Sequence, residues 1–289
     1  MSGIDEKHFA FTAGDGERIA AVRWRVEPVR AVLQVAHGMG EHSRRYLEPL
    51  VPLIESGIAV YANDHRGHGA TARLKEALGD FGPRGFAALV DDMATFTRLI
   101  HHENPGKKVI LLGHSMGSFA AQQYVFEHSD LIDGLALSGS AALDLVTIPQ
   151  GDQAALESLN TVSAQPRTPF DWLSRDEHEV DKYLADPLCG FSVNEAGLIS
   201  IFASGAAAAD PARLARIQSD LPVYIFAGDQ DPVNDRMTRM WPLVERYRRA
   251  GVANLTTEFY AGGRHEMLNE INRGEVVKNL AGWIEKVIA

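Results

Sequence analysis

The 289-residue chain contains a single cysteine, Cys189. One thiol cannot close an intramolecular disulfide, so nothing in the composition asks for an oxidising compartment, and it cannot supply the several thiolates of a thiolate-rich zinc site. Long apolar runs are also missing. No stretch of about 18 or more apolar residues occurs, so no transmembrane helix is expected. The opening MSGIDEKHFA has no basic start followed by an apolar stretch, which argues against a signal peptide and for a cytoplasmic protein. Basic excess is absent as well: the formal net charge is −10, and an acidic chain lacks the counterion-releasing surface that nucleic-acid binding needs. There is no internal repeat, and no biased tract beyond Ala206–Ala209.

What is present is an ordinary globular composition, 45% hydrophobic, in a length that suits one large domain carrying an insertion. His8–Ala13 and Arg18–Val26 alternate around Gly14-Asp15-Gly16, a β-hairpin signal. Short apolar runs follow at Ala31–Ala36, Ile58–Asn63, Lys108–Gly113 and Gly134–Ser138, separated by helical stretches near Arg44–Ser56, Arg84–Glu103 and Gly117–His128. Strand–helix alternation of these lengths predicts a mostly parallel sheet covered on both faces. The rhythm breaks over 141–209, which is helical in tendency with turn breaks at Ile148-Pro149, Gln165-Pro166 and Asp186-Pro187. Strands resume at Pro222–Gly228 and Leu255–Tyr260. The expected organisation is a core of 1–140 and 210–289 with 141–209 inserted as a helical cap.

The decisive segment is Val109–Gly117, a buried strand followed by G-x-S-x-G and a helix. Glycines on both sides permit a sharp strand-to-helix turn, which lifts the Ser115 hydroxyl above the sheet edge near a helix N-terminus. A serine hydroxyl needs a base, and the base needs a third group to orient it. In this arrangement the order is serine, acid, histidine. After the strand at 222–228 comes Gly228-Asp229-Gln230-Asp231-Pro232-Val233. Asp231, further past the strand end, reads as the acid, and Asp229 as a residue that caps the turn or bonds to backbone. After the last strand, Gly262-Gly263-Arg264-His265 carries a histidine on a glycine loop, and His265 reads as the base. Backbone N–H groups for a developing oxyanion are expected from Met116, which follows the serine, and from Met39 in His37-Gly38-Met39-Gly40.

In these segments the chain resembles the monoacylglycerol lipase and lysophospholipase branch of the α/β-hydrolases. The carrying motifs are H-G-M-G-E-H-S-R-R-Y at 37–46, N-D-H-R-G-H-G at 63–69, G-H-S-M-G at 113–117, D-P-L at 186–188, G-D-Q-D-P-V at 228–233 and G-G-R-H-E at 262–266. The resemblance implies an eight-stranded α/β-hydrolase core with a helical cap, and a Ser115–Asp231–His265 triad with oxyanion donors at Met39 and Met116. It also implies hydrolysis of a single acyl ester through an acyl-enzyme, with no cofactor and no metal. A small acyl ester is the expected partner, with no obligate protein partner. A short-chain carboxylesterase and a low-turnover binding protein on the same fold are the alternatives.

Outside the triad, Glu41 and His42 read either as supports of the oxyanion loop or as residues at the mouth of a head-group site. His65 and His68 with Asp64 could suggest a metal site, but two histidines on a glycine loop more often hold it by hydrogen bonds. Leu156, Leu159, Phe170, Trp172, Leu173, Tyr183, Leu188, Phe191, Leu198, Ile199 and Phe202 supply the apolar surface of 141–209. Part of it packs the cap. A subset including Leu188, Phe191 and Phe202 is a candidate acyl-chain lining, and an exposed part is a candidate for transient lipid-interface contact.

Overall fold

The computed structural model describes residues 3–146, 154–162 and 164–289. Eight strands, β1 (Asp5–Thr12), β2 (Arg18–Arg25), β3 (Ala31–Ala36), β4 (Ile58–Asn63), β5 (Val109–His114), β6 (Gly134–Ser138), β7 (Val223–Gly228) and β8 (Leu255–Tyr260), form one sheet in the order β1-β2-β4-β3-β5-β6-β7-β8. The first hairpin and the β2–β4 pair are antiparallel, and every other pairing is parallel. The helices are α1 (Leu47–Glu55), α2 (Gly85–Glu103), α3 (Met116–His128), α4 (Ala154–Glu157), α5 (Glu177–Ala185), α6 (Glu195–Ala203), α7 (Gly205–Ala209), α8 (Pro211–Leu214), α9 (Met240–Arg249) and α10 (Arg273–Ile288). None is long and apolar enough to cross a membrane.

The central strands β3, β4, β5, β6 and β7 are buried throughout, as their unbroken apolar runs require. Their side chains still alternate between two separate cores. On one face Val32, Tyr61, Leu111, Leu137 and Ile225 pack with α2, α3 and α9 through Phe96, Tyr124 and Tyr247. On the other, Leu33, Val60, Leu112, Ala136 and Phe226 pack with α1 and α10 through Leu50, Ile54, Leu280 and Ile284. Each fully buried Val, Leu, Ile or Phe stabilises the fold by about 1.5–3 kcal/mol before chain entropy is counted. The edge strand β8 is exposed at Thr256 and Glu258, and a charge there discourages pairing with another edge.

Between β6 and β7 the described residues hold helices and turns but no strand. The helical run continues past 209 through α8. Of the three turn breaks read from this stretch, Ile148-Pro149 lies outside the described residues. Asp186-Pro187 falls where α5 ends, with Asp186 extended at its C-cap. α5, α6 and α8 each begin with a polar side chain that accepts a backbone N–H: Asp176 from His178, Asn194 from Gly197 and Asp210 from Ala212.

The join between β5 and α3 depends on two glycines. A Cβ on Gly117 would overlap the Ala36 and His37 carbonyl oxygens at the end of β3, and one on Gly113 would press on the Gly117 and Ser118 backbone. Backbone against backbone leaves no flexible side chain to yield. We expect Gly117→Ala to lower stability by about 1–3 kcal/mol, measured as a shifted urea midpoint at unchanged slope. A midpoint equal to that of the unaltered chain would contradict this packing.

Candidate active site

Ser115 sits on that join, at φ 52° and ψ −121°. This is a left-handed conformation that a non-glycine residue adopts only when its surroundings enforce it. The enforcement is visible in the hydrogen bonds. The Ser115 N–H donates to Ser138 O in β6 at 3.0 Å, and the Ser115 carbonyl accepts from Ser118 N at 2.8 Å and Phe119 N at 3.1 Å. The Ser118 hydroxyl donates to the same carbonyl at 2.6 Å.

Two loops at the same edge of the sheet bring the predicted partners together. His265 Nδ1 donates to Asp231 Oδ2 at 2.9 Å, and both residues are buried. The second carboxylate oxygen of Asp231 accepts the Val233 N–H at 2.8 Å. A carboxylate only accepts, so Nδ1 carries a proton, and in the neutral ring the lone pair lies on Nε2. Burial opposes charge on the His265 ring, but the Asp231 carboxylate and its hydrogen bond, with Glu266 and Glu41, outweigh it and raise the pKa. His265 Nε2 is buried and makes no hydrogen bond to a described residue, the Ser115 hydroxyl included. The ring lies against His114, the residue before the serine, and Trp172 of the segment between β6 and β7, at centroid separations of 4.8 and 4.9 Å. Asp229 takes the other role read for it: its Oδ1 accepts the Gly262 N–H at 2.8 Å and holds the histidine loop to the β7 loop.

The loop after β3 approaches the serine closely. A Cβ on Gly38 would lie 3.2 Å from the Ser115 Cβ and 2.8 Å from Glu41 Oε1. Among the described residues, the Met39 and Met116 N–H groups donate to no protein acceptor, while their neighbours Gly38 and Gly40 donate to Glu41 Oε1 and His68 Nε2. Two histidines clip this loop in place. His37 Nδ1 donates to Gly38 O at 2.8 Å while its Nε2 accepts the His65 N–H at 2.9 Å. His68 Nδ1 donates to Arg66 O at 2.8 Å and its Nε2 accepts from Gly40 at 3.3 Å. Each ring is a donor at one nitrogen and an acceptor at the other, so each is neutral. Burial pushes both below the ordinary histidine range, His68 to about 3. Asp64 is likewise committed to backbone, accepting Ser43 N–H at 2.9 Å and Ala70 N–H at 2.7 Å.

Arg45 joins the two loops. It donates to Glu41 Oε2 at 2.8 Å and, with both terminal nitrogens, to Glu266 at 2.6 and 2.7 Å. Its guanidinium lies 4.8 Å from the Tyr183 ring centre, and the Tyr183 hydroxyl donates to Gly40 O at 2.8 Å. Glu41 also accepts the Tyr46 hydroxyl at 2.8 Å. Burial would raise the Glu41 carboxyl, but Arg45, the His114 and His37 rings and the Gly38 N–H hold it down at about 2. Burial likewise opposes ionisation of Glu266, and Arg45 lowers it. Arg45 was not among the residues the sequence singled out, and its partner in Glu266 lies 221 residues away.

Ser115, Met39 and Met116 line an apolar pocket together with Phe119, Val146, Leu156, Leu159, Trp172, Ile201, Phe202 and Val233. Of the five residues read as substrate contacts, Phe202 alone lines it. Glu41 is turned into the Arg45 network. His42 pairs with Asp186 at 2.9 Å. Phe191 packs on His68 with ring centres 5.0 Å apart, and Leu188 is on the surface, 36% exposed.

A serine on a strained strand-to-helix turn, beside a buried His–Asp pair at one edge of a mostly parallel eight-stranded sheet, defines an α/β-hydrolase. The family model described as serine aminopeptidase, S33, matches residues 27–272, and the chain belongs to that family, in its monoacylglycerol lipase-like branch. It is 28% identical to a monoacylglycerol lipase of Mycolicibacterium smegmatis, across 98% of each chain. It is also 28% identical to a monoglyceride lipase of Mus musculus, across 95% of this chain and 89% of that one. The crystal structure of a thermostable carboxyl esterase from Bacillus coagulans in complex with glycerol superposes with a TM-score of 0.87 at 28% identity, across 98% of this chain and 99% of that one.

Removing Arg45 leaves two buried carboxylates unpaired, and Arg45→Met is expected to cost about 3–5 kcal/mol. Both glutamates titrate below their ordinary 4.5 in the folded chain. The network's contribution is therefore complete above that pH and is lost as pH falls toward about 2. Urea unfolding of the native chain should weaken over this window, with a shallower pH slope in Arg45→Met. Parallel slopes would show that the network does not carry the acid sensitivity.

Proposed function

We propose that this chain hydrolyses carboxylic esters through an acyl-enzyme on Ser115, with His265 as general base, Asp231 as its orienting acid, and the Met39 and Met116 N–H groups as oxyanion donors. The observation that carries the reading is the orientation of His265. Its Nδ1 is committed to Asp231, and its buried Nε2 meets no partner among the described residues. In the first step Ser115 Oγ attacks the ester carbonyl and its proton passes to His265 Nε2. The new charge on the carbonyl oxygen meets two N–H groups that, among the described residues, hold no competing acceptor. The imidazolium then protonates the departing alcohol. In the second step water attacks the acyl carbon as it gives a proton to the same nitrogen, and that proton passes to Ser115 Oγ as the Oγ–carbon bond breaks and the acid leaves.

For the substrate we propose a monoacylglycerol or a similar single-chain ester. The apolar cavity at Ser115 suits an acyl chain, with the wall built largely by the helical insertion acting as a cap. The relatives named as monoacylglycerol and monoglyceride lipases support that substrate class. Exposed Leu184, Leu188 and Ile199 offer this insertion a surface for brief contact with a lipid interface. A short-chain carboxylesterase is the second reading, supported by the likeness to the Bacillus coagulans enzyme.

Ser115→Ala should lower kcat by roughly 10⁴–10⁶ and abolish labelling by a fluorophosphonate, with the circular dichroism spectrum intact. Near-normal esterase activity in that variant would end the assignment. The place of the acyl chain is tested by Ile201→Trp, which fills part of the pocket. If the cavity holds the acyl chain, KM for long-chain monoacylglycerols rises while turnover of acetyl and butyryl esters is kept. If acyl chains lie elsewhere, long and short esters respond alike.

A further inference from the structure

We propose that His42, Asp186 and Cys189 form a binding site for a borderline-soft divalent cation of the zinc class, separate from the serine chemistry and clamping the inserted segment to the loop after β3. One donor atom from each residue, the His42 ring nitrogen, an Asp186 carboxylate oxygen and the Cys189 sulfur, lies within 4.8 Å of the others. His42 Nε2 and Asp186 Oδ2 are already 2.9 Å apart. Ligands on tetrahedral zinc, with Zn–N near 2.0–2.1 Å and Zn–S near 2.3 Å, are roughly 3.3–3.7 Å from one another. The group therefore needs adjustments of about 1 Å, within the reach of side-chain torsions.

The donor set selects the ion. Imidazole, thiol and carboxylate are each zinc ligands, whereas calcium and magnesium call for oxygen throughout. Three protein ligands leave a fourth position open to water.

The backbone already places two of the ligands. Cys189 N–H donates to Asp186 O at 3.0 Å, and Leu188 N–H donates to Asp186 Oδ1 at 2.9 Å. That turn orients the carboxylate, occupies one of its oxygens and leaves Oδ2 facing His42. His42 is buried while Asp186 and Cys189 are half-buried, so the cluster has a rigid inner side and an outlet to solvent. Burial and the carboxylates of Asp186, Glu41 and Glu266, which outnumber Arg45, push the Cys189 thiol up, so the thiol stays protonated until a cation displaces its proton, and the same carboxylates attract that cation.

On binding, the Cys189 S–H bond breaks, its proton leaves to water and a sulfur–metal bond forms. The His42–Asp186 hydrogen bond is exchanged for two metal bonds, and the imidazole proton resides on Nδ1. The cross-link reinforces a contact the protein already makes there, where Gly190 N–H donates to Gly40 O at 3.0 Å beside the Tyr183 hydroxyl bond.

The test uses the full chain stripped with a chelator and titrated with Zn²⁺ by calorimetry and with Co²⁺ by absorbance. The expected result is one equivalent bound and a thiolate-to-cobalt charge-transfer band. Cys189→Ser should lose the band and weaken zinc by more than about tenfold, the least expected for loss of a direct ligand. His42→Ala should also weaken binding, with both variants keeping the native circular dichroism. Absence of stoichiometric binding, or equal affinity and an unchanged band in Cys189→Ser, overturns the proposal. Neither readout involves ester hydrolysis, so failure of the serine assignment and failure of this site are told apart.

Discussion

The candidate site rests on one buried cation. Arg45 lies between Glu41 and Glu266, and through them it couples the loop that approaches Ser115 to the loop that carries His265. These loops follow β3 and β8, strands well apart in the sheet order, and no backbone hydrogen bond between strands can set their separation. A guanidinium can, because its planar fork holds two carboxylates in a defined geometry. The arrangement is conditional on completeness: three buried charges are tolerable together and costly in any smaller number.

Much of the fold was legible because it rests on local signals. Unbroken apolar runs gave the central strands, and the helical stretches between them gave the covering layers. The site was legible where backbone geometry leaves a residue signature. Gly113 and Gly117 mark the serine turn because a Cβ at either place meets backbone. Asp231 and His265 were readable from their place after β7 and β8, and the structure brings them to hydrogen-bonding distance. His68 behaves as a loop clip, as its setting between glycines suggested.

Long-range pairings were not legible. Nothing near Arg45 announces Glu266, and nothing in Trp172 announces its place against His265. The substrate contacts fared worst for the same reason. Leu188 and Phe191 follow a helix end at which a rotation of one residue decides between cavity, core and surface. The structure places one on the surface and the other against His68. Glu41 and His42 were open to two readings, and the structure turns both toward partners on the protein: Glu41 into the Arg45 network, His42 onto Asp186. In the helical segment between β6 and β7, periodicity identifies an apolar face without saying what that face meets.

His37 and His68 have one more consequence. Each imidazole spans two backbone groups with nitrogens set apart by a rigid five-membered ring. Distances around Met39 are thereby inherited from aromatic bond lengths instead of from torsions that fluctuate. In the reaction proposed above, an incoming carbonyl would then meet donors whose spacing was settled when the chain folded, with little ordering left for the moment of encounter.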